Sequence, residues 1–278
     1  MTGAAPLARE LTALGVPPGA VLLVHASLQR VGAAPETVLA ALLDVLGPEG
    51  TLVVPTFTAE NSDTSPAYRD RVRNLTADQV AAYRDRMPPF DPGTTPSQGM
   101  GMLAEAVRLS PGAVRSAHPQ TSFAALGARA AELTADHDES CHLGPASPLA
   151  RLEQADARAL LLGVGFEVCT SFHLAEYRLP DAPRREYRCV VLRDGERHWT
   201  SFEDVALDDG DFGTLGADFE RLTAEGPDPV VRAGPVGGAD ARLFPMAAAV
   251  AFATRRLAGK RPRHDRSRPS QNGAQFLH

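Results

Sequence analysis

Apolar positions in this chain recur with two periods, and the period switches repeatedly along its length. Leu7, Leu11 and Leu14 sit at helical spacing, and Gly15 supplies a stop. Residues 20–25 (AVLLVH) form an apolar run too short for a helix, which predicts a strand, and residues 26–32 leave it. Pro35–Leu46 predicts a helix, with proline at its start, Glu36 in its first turn and Gly47 after it. Thr51–Pro55 predicts a second buried strand. Strand, helix, strand with short connections implies a right-handed crossover and a parallel pair. His25, Ala26 and Ser27 then share one edge of the sheet with residues 56–58.

Residues 59–98 break this rhythm: they are polar, then proline-rich through MPPFDPGTTP. A connection of that length inside a compact domain is functional or disordered, and here it predicts a loop or short-helix lid over the site. Helices are predicted at 99–109 and 128–136, and one beginning at Pro148 with Ser147 as its cap. Residues 159–162 are an unbroken apolar run that suits a strand covered on both faces. Gly163 and Gly165 turn the chain, and residues 171–178 have helix-forming composition. Residues 187–193 and 196–202 flank Asp194 and Gly195, a hairpin signal. Residues 218–223 predict a helix, residues 229–234 a last strand, and residues 239–258 a closing helix kinked or started at Pro245. The basic, proline-rich stretch 259–278 predicts a flexible tail. The sum is an α/β chain: three α/β/α layers around a central mixed sheet, one domain over 1–258, with a lid-like insertion at 59–98.

Composition narrows the function classes. The 278 residues are 44% hydrophobic and 22% charged, with a formal net charge of −6, which disfavours nucleic acid as a partner and tolerates a cationic ligand. Cys141, Cys169 and Cys189 are too widely spaced for a disulfide framework or a zinc pattern. Arg9 and Glu10 lie where a secretory apolar core would be, and no apolar run approaches the ~20 residues that span a bilayer. A soluble cytoplasmic protein with no membrane partner is expected.

The candidate chemistry lies after the run at 159–162. Strand, glycine turn and helix start place residues 171–178 at a strand's carboxyl end, where ligands collect in α/β sheets. His173 and Glu176 are three apart, so on a helix they share a face. A carboxylate beside an imidazole fixes its tautomer and supports its positive charge, as a general base requires. The competing reading is an ordinary surface hydrogen bond. Thr170 can cap the helix or donate to a developing oxyanion. Cys169 close to His173 raises a thiol nucleophile, but its neighbours are apolar and hydroxylic, which favours an inert hydrophobe.

Several segments in order resemble the aminoglycoside 3-N-acetyltransferase family: VHASLQRVG at 24–32, GTLVVPTFT at 50–58, FDPGTTPSQGMGMLAE at 90–105, RSAHPQTSFAALG at 115–127, and SPLARL, LLLGVG and TSFHLAEYR between 147 and 178. The resemblance implies a fold distinct from the common GNAT acetyltransferases. It also implies direct transfer of acetyl from acetyl-CoA, a co-substrate, to an amine, with no metal. The histidine of HLAE, here His173, would be the base and Glu176 its carboxylate. Cofactor contacts would come from His25, Ala26, Ser27 and Leu28, and from Arg115, Ser116, His118, Ser122 and Phe123. For Ser27, Arg115, Ser116, His118 and Ser122 the competing reading is a set of turn-capping hydroxyls, with His118 packed beside Pro119. A polycationic small-molecule acceptor calls for carboxylates, and the candidates are Asp63, Asp91, Glu105 and Asp211, with Glu60 and the neighbouring Asp208 and Asp209. A non-aminoglycoside amine is the alternative acceptor, and a homodimer is left open. Two positions depart from the family's usual pattern: GPASP at 144–148 lacks its acid, and Cys169 replaces a common asparagine.

Overall fold

The computed structural model describes residues 3–224 and 229–260. Of the tail predicted at 259–278, residues 259 and 260 belong to the last helix and 261–278 lie outside the described residues. In chain order the elements are α1 (Ala4–Leu14), β1 (Val21–Ala26), α2 (Leu28–Val31), α3 (Pro35–Leu46), β2 (Thr51–Pro55), α4 (Pro66–Val72), α5 (Ala77–Arg86), α6 (Gly101–Arg108), β3 (Val114–Arg115), β4 (Phe123–Gly127), α7 (Ala130–Thr134), α8 (Pro148–Gln154), β5 (Arg158–Leu162), α9 (Ser171–Glu176), β6 (Arg184–Arg193), β7 (Glu196–Val205), α10 (Phe212–Leu222), β8 (Arg232–Val236), β9 (Ala239–Pro245) and α11 (Met246–Lys260).

Seven strands form one mixed sheet in the order β3-β4-β2-β1-β5-β9-β8. β1 is parallel to both β2 and β5, while the outer pairings are antiparallel. Side chains alternate between two cores, as the period of a strand dictates. Leu22 and Val24 of β1, with Leu160 and Leu162 of β5, pack under α1, α3 and α6. Leu23, Ala159 and Leu161 pack under α8, α9, α10 and α11 on the other face. Three layers around a mixed sheet is the architecture the sequence patterning predicts.

Two sequence expectations need correction. Residues 239–245, read as the head of the closing helix, are strand β9, paired with β5 from Arg158↔Pro245 to Leu162↔Ala241. Their burial alternates at Ala239, Ala241 and Leu243, a period-two signal, and the helix begins only at Met246 after Pro245. Ser147 precedes Pro148 as expected, but its hydroxyl donates to the Gly144 carbonyl at 2.7 Å rather than accepting from the helix.

Much of the insertion packs on the β6–β7 hairpin. Tyr68 and Met87 bury against Val190, with Tyr83 and Trp199 alongside. Asp63 pairs with Arg84 at 2.9 Å and Arg188 at 3.0 Å, and the Phe90 N–H donates to the Val190 carbonyl at 3.0 Å. The hairpin turn itself is as predicted: Asp194 (φ 53°) and Gly195 (φ 79°) are both left-handed, which matches the twist of two-residue hairpins.

Candidate active site

β1 lies between β2 and β5, so the chain leaves β1 in one direction and later returns on its other side. A crevice at that point, beyond the carboxyl ends of the strands, is where open α/β sheets bind ligands. A cleft of ≈ 700 Å³ opens there, with His25, Thr170, His173, Asp209 and Phe212 in its lining. Gly163 closes β5 with φ 68°, and a Cβ at that position would sit 3.1 Å from the Arg30 Cβ and 3.2 Å from the Ser27 carbonyl. Only glycine lets the β5 turn pass that close beneath the β1 connection.

His173 and Glu176 lie on α9, whose residues are all buried. The imidazole Nδ1 and the Glu176 Oε2 are 2.6 Å apart, and the residues are 3% and 1% exposed. The other carboxylate oxygen accepts from the Asp208 backbone N–H at 3.0 Å. Glu176 is thus held between a backbone donor and the ring, which directs Nδ1–H to the carboxylate and leaves Nε2 as the basic nitrogen. Phe212 flanks the ring, with centroids 4.7 Å apart. The pair is therefore buried, with His173 alone reaching the cleft lining, and is not the surface contact of the competing reading.

Thr170 does not cap α9 with its side chain. Its Oγ1 lies 3.1 Å from His25 Nε2 at the end of β1. Burial, reinforced by the nearby His173, pushes the His25 imidazole down to about 4, so this ring is neutral. Cys169 is fully buried and burial pushes its thiol up to about 12, which removes it as a nucleophile at neutral pH.

Of the expected cofactor contacts, His25, Ala26, Ser27 and Leu28 line the cleft. Arg115, Ser116, His118, Ser122 and Phe123 do not, and this corrects the sequence reading. Arg115 spends its donors on the protein: Thr56 carbonyl at 2.7 Å, Ser122 Oγ at 3.0 Å and the Thr95 carbonyl, with Phe90 stacked beneath it. It ties the proline-rich segment to the end of β2. Ser116 donates to or accepts from His137 Nδ1 at 3.0 Å, and His118, His137 and His142 stack in the interior. Ser122 and Phe123 are wholly buried.

The acceptor carboxylates fare similarly. Asp63 is taken by two arginines, as above. Asp91 Oδ1 accepts from the Gly93 and Thr94 N–H groups, which makes it a turn residue. For Glu105, burial raises the carboxyl, but Arg108 and Ser97 outweigh it and hold the group at about 2. Glu60 pairs with Arg71 at 2.8 Å, and Asp211 precedes α10 without lining the cleft. The carboxylates that do line it are Asp209, from the acidic run, and Glu167. Burial raises the Asp209 carboxyl, with Asp208 and Glu176 adding to the rise and His173 opposing it. Sequence reasoning misses Glu167, Arg30 and residues 99–104, because sheet topology rather than any local motif brings them here.

The sequence profile of the aminoglycoside 3-N-acetyltransferase family matches residues 23–258. The chain belongs to this family. An aminoglycoside N(3)-acetyltransferase VII of Streptomyces paromomycinus is 41% identical over 257 residues, covering 86% of this chain and 85% of that one. Among solved structures, the YokD protein of Bacillus subtilis aligns with a TM-score of 0.85 at 32% identity, over 93% of this chain and 94% of its own. AAC-IIIb in a binary complex with CoASH aligns at 0.79 and 30% identity, over 93% and 97%. Among the described residues no helix is long and apolar enough to cross a membrane, and no cluster of His, Cys, Asp or Glu could hold a metal ion.

Proposed function

We propose that this chain transfers acetyl from acetyl-CoA to the 3-amino group of an aminoglycoside, with His173 as general base. The observation that carries the reading is that His173, held at 2.6 Å by Glu176 behind it, lines a ≈ 700 Å³ cleft. The cleft fits the co-substrate: it is roomy, and it is walled by backbone at Gly99, Gly101 and Gly210 and by Arg30 at one side. Bound acetyl-CoA supplies an activated thioester. His173 Nε2 takes the proton of the incoming ammonium or amine, and Glu176 stabilises the imidazolium. Thr170 donates to the thioester oxygen as it becomes negative; this requires His25 to present Nε2–H to Thr170 Oγ1, which leaves the hydroxyl hydrogen for the cleft. The C–N bond forms as the C–S bond breaks, CoA leaves as its thiol with the proton held by His173, and no residue of the chain becomes acylated.

The test is thiol release from acetyl-CoA with kanamycin- and gentamicin-type acceptors, with the acetylated nitrogen located by NMR. Release without any aminoglycoside in the panel acting as acceptor overturns the acceptor assignment. A second reading, transfer to a non-aminoglycoside amine, draws support from one observation: Asp63, Asp91 and Glu105 are committed to the protein's own partners, so the cleft carries fewer carboxylates than a polycation could use. The same assay over a panel of small amines separates the two.

A further inference from the structure

A smaller pocket opens beside the cleft and shares Phe57 with it. Leu207 also lines it, and the next residue, Asp208, donates its backbone N–H to Glu176. The pocket is therefore one short step of chain from the base. Among the described residues no aspartate or glutamate lines it, and Arg185 does. The Arg185 guanidinium carbon lies 4.1 Å over the Tyr187 ring, and its Nε is buried without a hydrogen-bond partner. Across the hairpin Arg185 faces Asp204, but that carboxylate is taken by His142 N and Nδ1, both at 2.8 Å, and by the Tyr177 hydroxyl at 2.6 Å. The other polar walls are likewise engaged: Gln120 Oε1 with His142 Nε2 at 2.9 Å, and Thr121 Oγ1 with the His142 carbonyl at 2.8 Å. The wall thus carries a guanidinium that no acid in the lining balances. A guanidinium offers donors only; in a poorly solvated wall it favours oxygen acceptors and repels an ammonium.

We propose that this pocket selects the acceptor, taking a hydroxyl-bearing sugar substituent and excluding an ammonium, with Arg185 as the specificity-determining residue. The inference rests on the aminoglycoside reading above. In such an acceptor the ring carbon next to C3 carries a glycosidic sugar, so that sugar lies within one ring's width of the base when N3 is docked. Paromomycin and neomycin differ only at the exocyclic carbon of that sugar, hydroxyl in the first and amine in the second. At pH 7, kcat/KM should favour paromomycin by about tenfold, the size expected for two like charges some ångströms apart in a partly screened pocket. The preference should shrink as pH rises and the exocyclic amine loses its proton. Arg185→Gln should narrow the ratio to about threefold or less, chiefly by raising kcat/KM for neomycin. Equal kcat/KM for the two compounds overturns the inference while leaving the proposed function intact. So does an Arg185→Gln variant that lowers both alike. Absence of thiol release with either compound, together with no binding of either by calorimetry, rejects the acceptor class itself and this inference with it.

Discussion

Glu176→Gln is nearly isosteric, yet the geometry around Glu176 makes it a severe change. One carboxylate oxygen accepts from the Asp208 N–H at 3.0 Å and the other from His173 Nδ1 at 2.6 Å. Both partners are donors, so a carboxylate satisfies both and an amide cannot. The backbone N–H has no alternative form, so the oxygen of the introduced amide will stay with it and the NH₂ will turn to the imidazole. The ring must then accept at Nδ1 and carry its proton on Nε2, the nitrogen proposed to act as the base. Two losses add. A buried hydrogen bond to a charged group contributes about 1.5–3 kcal/mol, most of it to the imidazolium, and the ring is held in the wrong tautomer on top of that. Together these predict a loss of about 4 kcal/mol in the transition state, or about 10³ in kcat. KM for acetyl-CoA should hold within about twofold, because Glu176 is buried behind the ring and does not line the cleft. Steady-state kinetics by thiol release measures this, and ¹⁵N NMR of the His173 ring reads the tautomer directly. A variant that keeps a third of wild-type kcat, or a ring still protonated at Nδ1, refutes the argument.

Thr170→Val keeps the shape and removes the hydroxyl 3.1 Å from His25 Nε2; kcat should fall about 10²-fold, the typical effect of losing one oxyanion donor, and an unchanged kcat excludes that role. Cys169→Ala should retain at least about half of the activity, since the thiol is held protonated by burial, and a tenfold loss in steady-state rate would restore the thiol mechanism. Four buried histidines make the fold acid-sensitive: burial lowers His25 to about 4, His137 to about 3, His142 below its ordinary value and His118 well below it. Because the unfolded chain binds these protons near pH 6.5 and the native state does not, stability is complete above 6.5 and declines as pH falls towards those lowered values. The slope is about 1.4 kcal/mol per pH unit for each histidine, read from urea midpoints at pH 7.5 and 5, and a flat profile over that range contradicts the burial of the cluster.

The parts of the fold that the sequence makes legible are those where local signals and tertiary packing agree. Pro35–Leu46 and Thr51–Pro55 run between the predicted residues, and the Asp194-Gly195 turn closes the hairpin. His173 and Glu176 are legible because strand, glycine turn and helix occupy consecutive residues. Arg115 and His118 mislead because their residue types, Arg, Ser and His near a strand end, suit phosphate binding and interior networks equally well. Which one obtains depends on whether donors face a cleft or other loops, and Arg115 faces Thr56 and Thr95. β9 is hidden because Ala, Leu and Phe ahead of an alanine-rich helix read as its continuation, whereas the β5 edge needs a partner. Arg185 gives no signal, since the role proposed for it depends on the make-up of a pocket wall that only the fold assembles.

The helix that carries the proposed base shows how completely the site depends on the rest of the fold. α9 has six residues, far short of the ~12–15 at which a helix has any standing alone in water. Its Thr170 cap makes no side-chain bond to it, and its dipole is too short to fix a ring. What holds His173 and Glu176 in register is burial: Phe172 against Phe166 and Phe212, Leu174 and Ala175 in the core, and α11 packed along the helix. The two halves of the proposed site also arrive separately. His25 is the next-to-last residue of β1 and Thr170 comes after β5, 145 residues later, and they meet because those strands pair in register from Leu22↔Arg158 to Ala26↔Leu162. A slip of that register by one residue would turn His25 to the opposite face of the sheet, away from Thr170 and the cleft. The pairing of the central strands, more than any motif, is therefore what brings the proposed base, the Thr170 hydroxyl and the cleft to one point.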